Sequence, residues 1–202
     1  THTHTHTHTH THTHTHTRSQ YGWRHAKRPG VDKFLRELGQ YYEIVLFSPS
    51  LMGVAEPVVA SLDKNGYIMH HLFREATRFI NGSHVKDISM LNRNVNRIIV
   101  IDDDPREVQL HQQNLLRVKP YDDPTDREDK TLENIIPMLI EIAKENHKDI
   151  PMLLNQFRRE NGERMDAEEI ANEYQNRIDA LRNRSHEQVS TADYYLYSIF
   201  IL

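Results

Sequence analysis

The chain has 202 residues, no cysteine, and a formal net charge of −4 with histidine neutral. That length suits one compact α/β domain with an extension. The absence of cysteine excludes disulfides, thiolate zinc sites and a thiol nucleophile, and the acidic balance speaks against a nucleic-acid partner.

Residues 1–17 are an uninterrupted Thr-His alternation that starts without Met. A CA dinucleotide repeat encodes this pattern, so the run reads as a translated repeat, with the native N-terminus expected elsewhere. Eight histidines would share one face of an extended chain, yet the spacing is that of a repeat, so disorder and at most weak, nonspecific metal binding are expected.

Pro29-Gly30 opens a helical pattern in which Val31, Phe34, Leu35 and Leu38 share one face. The run 43–48 reads as a buried strand ending at Ser48, and 50–62 as a helix bent at Pro57. Strands follow at 67–73 and within 77–85, where Asn81-Gly82 is a strong two-residue hairpin signal. That hairpin explains Asn81-Gly82-Ser83 better than a glycosylation sequon does. Further strands are expected at 97–101 and 115–118, then a helix over 130–144 interrupted at Pro137. Strands alternating with helices imply a parallel sheet covered on both faces, with its chemistry beyond the carboxyl ends of the strands. From about residue 149 a helical extension takes over. In 166–184 a stripe of Ala167, Ile170, Ala171, Tyr174, Ile178 and Leu181 follows an Asp166/Glu169 capping signature. This helix either packs on the domain or docks a partner. The organisation is therefore the run 1–17, a domain over 18–148, an extension over 149–184 and a tail over 185–202. The apolar end of that tail, 194–202, is far shorter than the ~20 residues a membrane span needs and reads as a terminal strand or a membrane-touching segment.

The stretch 98–105, IIVIDDDP, runs a buried strand into three carboxylates. Like charges ~4 Å apart repel by ~1 kcal/mol in water and several-fold more inside a protein. The acids therefore need a cation, a Lys or Arg, or full exposure. One reading is a magnesium-and-phosphate site in outline, made of Ser48, Lys86, Asp102 and Asp103. The other is a solvated turn that caps a helix beginning near Pro105.

At this point the residues resemble a family. SPS after EIVLF, VKDIS and VIDDDP are similar to the second, third and fourth motifs of haloacid-dehalogenase-like phosphatases, in the branch of the RNA polymerase II carboxyl-terminal-domain phosphatases. The segments 22–30, 72–94 and 149–157 resemble one subfamily of that branch, the fifty-kilodalton receptor subunits of the mitochondrial inner-membrane presequence translocase. The resemblance covers about 18–180. It implies a Rossmannoid parallel sheet with an inserted β-hairpin and a C-terminal helical extension. It assigns Ser48 and Lys86 to phosphate binding and Asp102 and Asp103 to magnesium, the one cofactor it implies. The family's first motif, D-x-D-x-[TV], belongs just upstream of Gly22, where this chain carries the Thr-His run. The first strand and its nucleophile are thus expected to be missing, which leaves a pseudophosphatase.

The resemblance implies a receptor whose soluble domain lies in the intermembrane space of the inner membrane. It would bind presequences and preproteins and pass them to the channel and coupling subunits. Presequences are amphipathic, Arg-rich and acid-poor. The hairpin at Asn81-Gly82 and the loop acids Asp122, Asp123 and Asp126 are the candidate recognition elements, in a helix-in-groove mode. The alternatives are a magnesium-dependent protein serine/threonine phosphatase and a plain interaction scaffold. The transit peptide and membrane anchor of such a receptor are expected to lie outside this chain.

Overall fold

The computed structural model describes residues 14–19, 22–184 and 197–201. Two strands open it, β1 (His14–Ser19) and β2 (Gly22–Lys27), paired antiparallel with His16 opposite His25. The disorder expected across 1–17 thus gives way to a strand over its last four residues. A β2 partner satisfies backbone groups there that water would otherwise solvate.

The periodic stretches form the expected elements. Helix α1 (Val31–Leu38) buries Val31, Phe34, Leu35 and Leu38, each at most 2% exposed. Burying such side chains stabilises by ~1.5–3 kcal/mol each before the entropy of ordering is subtracted. Gly30 enters the helix at φ 79, a left-handed geometry that favours glycine. Strand β3 (Tyr42–Phe47) is buried along its whole length, and Ser48 follows it directly. Helix α2 (Met52–Leu62) contains Pro57. Strand β4 (Ile68–Leu72) leads into the hairpin of β5 (Arg78–Ile80) and β6 (Ser83–Val85). Asn81 and Gly82 take φ 50 and 83, the positive values that a two-residue hairpin loop of this twist requires. Strands β7 (Ile98–Asp102) and β8 (Leu115–Arg117) follow, then helix α3 (Thr131–Glu145). Pro137 does not interrupt α3, contrary to expectation. It faces solvent, so water can reach the carbonyl that loses its intrahelical donor.

The extension comprises α4 (Ile150–Leu154), capped by Asp149 accepting from the Met152 amide at 2.8 Å, and α5 (Ala167–Arg184). The capping box is complete. Asp166 Oδ1 accepts from the amides of Glu168 and Glu169, both at 3.0 Å, and Glu169 Oε2 accepts from the Asp166 amide at 2.8 Å. Helix α5 packs on α3 through Ala167, Ile170, Ala171, Tyr174 and Ile178. Leu181 leaves the stripe and is 58% exposed.

Five parallel strands form the main sheet, in the order β4-β3-β9-β7-β8. The middle position belongs to β9 (Tyr197–Ile201), from the far end of the chain. It pairs with β3 on one side (Ile44↔Ile199) and with β7 on the other (Ile99↔Ile199). The gap expected between β3 and β7 is therefore filled. YSIFI is rich in the β-branched and aromatic residue types that favour strands.

Alternate strand residues face two cores. Ile44, Leu46, Ile99 and Ile101 join all five helices in the larger cluster. Val45, Phe47, Ile98 and Val100 face the smaller one, closed by Ile88, Val108 and Leu115. The second face is thus covered by turns and 3₁₀ segments rather than by helices.

Candidate functional site

Since all five strands run parallel, their carboxyl ends share one rim, and the segments leaving that rim carry the sequence-derived candidates. Ser48 follows β3 and is 2% exposed. Its amide donates to the Leu72 carbonyl at 2.8 Å, and its hydroxyl accepts from the Ser50 amide at 3.2 Å. Asp102 ends β7. Strand β9 lies between the two, so two strand spacings of ~4.8 Å separate their backbones.

Lys86, just beyond the hairpin, reaches Asp102. Its Nζ lies 3.1 Å from Asp102 Oδ2 and 2.6 Å from Glu107 Oε2, with the lysine 1% and Asp102 0% exposed. The Lys86 amide also donates to the Glu107 carbonyl at 2.7 Å. Asp102 Oδ1 accepts from the Asp104 amide at 3.0 Å, and Asp104 is itself held by Arg106. Asp103 is buried, and its carbonyl accepts from Arg117 Nε at 3.1 Å. The solvated-turn alternative therefore fails for Asp102 and Asp103, and residues 105–110 form turns rather than a helix. A buried carboxylate without a cation would be costly, and Lys86 relieves that cost here.

The structure thus brings Lys86 and Asp102 together and adds Glu107. Among the described residues no hydrogen bond joins Ser48 to either. The central strand, YSIFI, contributes no carboxylate from its described residues. Among the described residues no group of three or more His, Asp or Glu side chains is placed to hold a metal ion. With Asp102 and Glu107 closed on Lys86, the described donors do not fit a resident magnesium.

A second network, not legible in the sequence, adjoins the first. Asp87, 3% exposed, accepts from Arg78 Nη1 at 2.8 Å and from the Ser89 hydroxyl at 2.6 Å, and lies 2.9 Å from His111 Nε2. Burial pushes its carboxyl up, but the hydrogen bonds from Ser89, Arg78 and His111 outweigh that and hold it far below the usual carboxylate range. Arg78 sits at the root of the hairpin, so this network ties the hairpin to the loops beyond β7. VKDIS places Asp87 beside Lys86, but no local pattern marks Arg78, Glu107 or His111 as partners, since Arg78 comes from β5 and the other two from the segment after β7.

The rim is apolar and exposed around the hairpin. Arg74 donates its amide to the Ser50 carbonyl at 3.0 Å and its Nε to the Pro49 carbonyl at 2.6 Å, stitching the start of α2 to the hairpin stem. Beside this seam Leu51, Met52 and Val54 are about half exposed, and Phe79 on the hairpin is 68% exposed against the His84 ring. The loop after β8 carries Asp122, Asp123 and Asp126, all exposed. Asp123 accepts from the Thr125 hydroxyl and amide, and Asp126 accepts from the Glu128 amide. The loop is anchored at its far end, where Asp129 takes two hydrogen bonds from the buried Arg28.

Comparisons with known proteins agree with the geometry. The profile of the NLI interacting factor-like phosphatases matches residues 1–151. The mitochondrial import inner membrane translocase subunit TIM50 of Phytophthora infestans is 42% identical over 169 residues, covering 84% of this chain and 40% of that protein. Its namesake in Neurospora crassa is 45% identical over 138 residues, covering 68% of this chain and 25% of that protein. That of Arabidopsis thaliana is 36% identical over 174 residues, covering 86% and 44%. The chain spans less than half the length of each of these relatives.

Proposed function

The chain belongs to the NLI interacting factor-like phosphatase family, and from that membership we propose that it acts as the receptor domain of a TIM50-type subunit of the mitochondrial inner-membrane translocase. In this reading it binds the presequences of preproteins in the intermembrane space and hands them to the channel and coupling subunits. An amphipathic, Arg-rich helix needs an apolar surface for one face and acids for the other. The observation that carries the reading is the composition of the rim. Exposed Leu51, Met52, Val54 and Phe79 flank the hairpin of Asn81 and Gly82, and exposed Asp122, Asp123 and Asp126 leave the same carboxyl end of the sheet, after the opposite edge strand β8. The relatives named TIM50 support it across most of the chain.

The phosphatase alternative finds less support. Lys86, which the family motif assigns to phosphate, is closed between Asp102 and Glu107, and the described central strand brings no carboxylate to serve as the family's nucleophile.

The test is a fluorescence-anisotropy titration of the chain with a labelled presequence peptide. Binding should weaken several-fold with salt and with the combined change Asp122→Asn, Asp123→Asn and Asp126→Asn, and should weaken separately in Phe79→Ser. No binding by the folded chain would overturn the proposal.

A further inference from the structure

Three Asn-Gly pairs stand in the chain, Asn65-Gly66, Asn81-Gly82 and Asn161-Gly162, and all are exposed. Asparagine loses its side-chain amide most readily before glycine, which has no Cβ to keep its backbone nitrogen away from the preceding side chain. The attack needs two freedoms. The glycine N–H must be released from any acceptor, and the asparagine side-chain carbonyl must swing toward that nitrogen.

Two of the pairs are held. The Gly162 amide donates to the Arg159 carbonyl at 2.9 Å. The Asn161 side chain is fixed at both atoms, since Oδ1 accepts from the Glu163 amide at 3.0 Å and Nδ2 donates to Glu163 Oε2 at 2.9 Å. The Gly66 amide donates to the Asp63 carbonyl at 3.3 Å. The Asp63 carboxylate tightens the same turn by accepting from the amides of Tyr67 and Ile68 at 3.0 and 2.6 Å. These hydrogen bonds resist ring closure, because a polar group pulled from its partner must find another or go unpaired.

Asn81-Gly82 is different. Among the described residues the Gly82 amide has no acceptor and the Asn81 side chain makes no hydrogen bond. The turn joins only three cross-strand pairs, Arg78↔Val85, Phe79↔His84 and Ile80↔Ser83, in a hairpin that stands apart from the main sheet. So short a two-stranded element opens locally at little cost.

We propose that Asn81 is a self-modification site, at which the folded protein deamidates ahead of its other two Asn-Gly pairs. The Gly82 nitrogen attacks Asn81 Cγ, and the new N–Cγ bond closes a succinimide. The Cγ–Nδ2 bond breaks, and Nδ2 leaves as ammonia with the proton given up by the Gly82 amide. Water then opens the ring at either carbonyl, giving aspartate or isoaspartate. Each product adds a negative charge at the hairpin tip, close in sequence to the exposed Phe79. Isoaspartate also lengthens the main chain by a carbon inside the turn, which works against the Ile80↔Ser83 register. The chemistry is independent of the receptor reading.

The test ages the full chain at mildly alkaline pH and follows all three sites by peptide mapping with mass spectrometry. The expected result is an amide-to-acid mass gain, split between aspartate and isoaspartate peptides, that grows several-fold faster at position 81 than at 65 or 161. In concentrated urea the three rates should converge, because the folded hydrogen bonds that hold two of the sites are gone. Conversion at 65 or 161 as fast as at 81 in the folded chain, no conversion at 81, or an unchanged ranking in urea would each overturn the proposal.

Discussion

Lys86 and Asp102 meet in the interior, Nζ 3.1 Å from Oδ2, with neither side chain more than 1% exposed. The pair closes the sheet end on which a phosphatase of this family would open, and Glu107 completes it at 2.6 Å. Removing one partner of a buried ion pair leaves an uncompensated charge and costs ~3–5 kcal/mol. Lys86→Met should destabilise by that amount in urea, because it strands two carboxylates. Asp102→Asn should cost less, because Lys86 keeps Glu107. Equal costs would show that Glu107 does not share the lysine.

The middle of the sheet should depend on the last strand. Ile199 hydrogen-bonds between β3 and β7, and a proline there removes a ladder bond and clashes in a strand with neighbours on both sides. Ile199→Pro, or a chain ending at residue 196, should lose ~3 kcal/mol or more and expose two interior strand edges to aggregation. Light scattering and thermal melts check this. A truncated chain that melts like the full one would mean that β9 does not hold the sheet together.

Acid should loosen the hairpin. The folded Asp87 carboxyl lies below its unfolded value of ~3.9, so its contribution is present above that value and is lost as pH falls beneath it. Stability measured from pH 7 to pH 2 should therefore decline below about pH 4. Asp87→Asn should lower stability at neutral pH and flatten the acid limb. An unchanged acid limb would place the decline on other carboxylates, such as Asp129, where burial acts upward and is outweighed by Arg28.

Gly30 should resist substitution. At φ 79 an L side chain is strained, and a Cβ would lie 2.7 Å from Glu133 Cγ. Gly30→Ala should cost ~1–2 kcal/mol from the backbone alone. Combining it with Glu133→Ala, which clears the contact, should recover only part of the loss. Full recovery would put the whole cost on the contact rather than on the conformation.

Much of the fold and part of the candidate site could be read from local signals. The 3.6-residue spacing of Val31, Phe34, Leu35 and Leu38 sets a helix face, and the alternation of Ile44, Val45, Leu46 and Phe47 sets two strand faces. Asn81-Gly82 sets a hairpin, and Asp166 with Glu169 sets a helix start. Each is decided by backbone conformation and by which side of one element is apolar, so a few neighbouring residues contain the whole answer. Tertiary structure alone decided who stands beside whom. A short apolar run such as YSIFI is compatible with any buried strand position, and its place between β3 and β7 follows from which edges the rest of the chain leaves open. The same holds for Glu107 on Lys86 and for His111 and Arg78 on Asp87. Charge partners drawn from separate turns have no spacing in the sequence, since only the folded backbone brings them within reach.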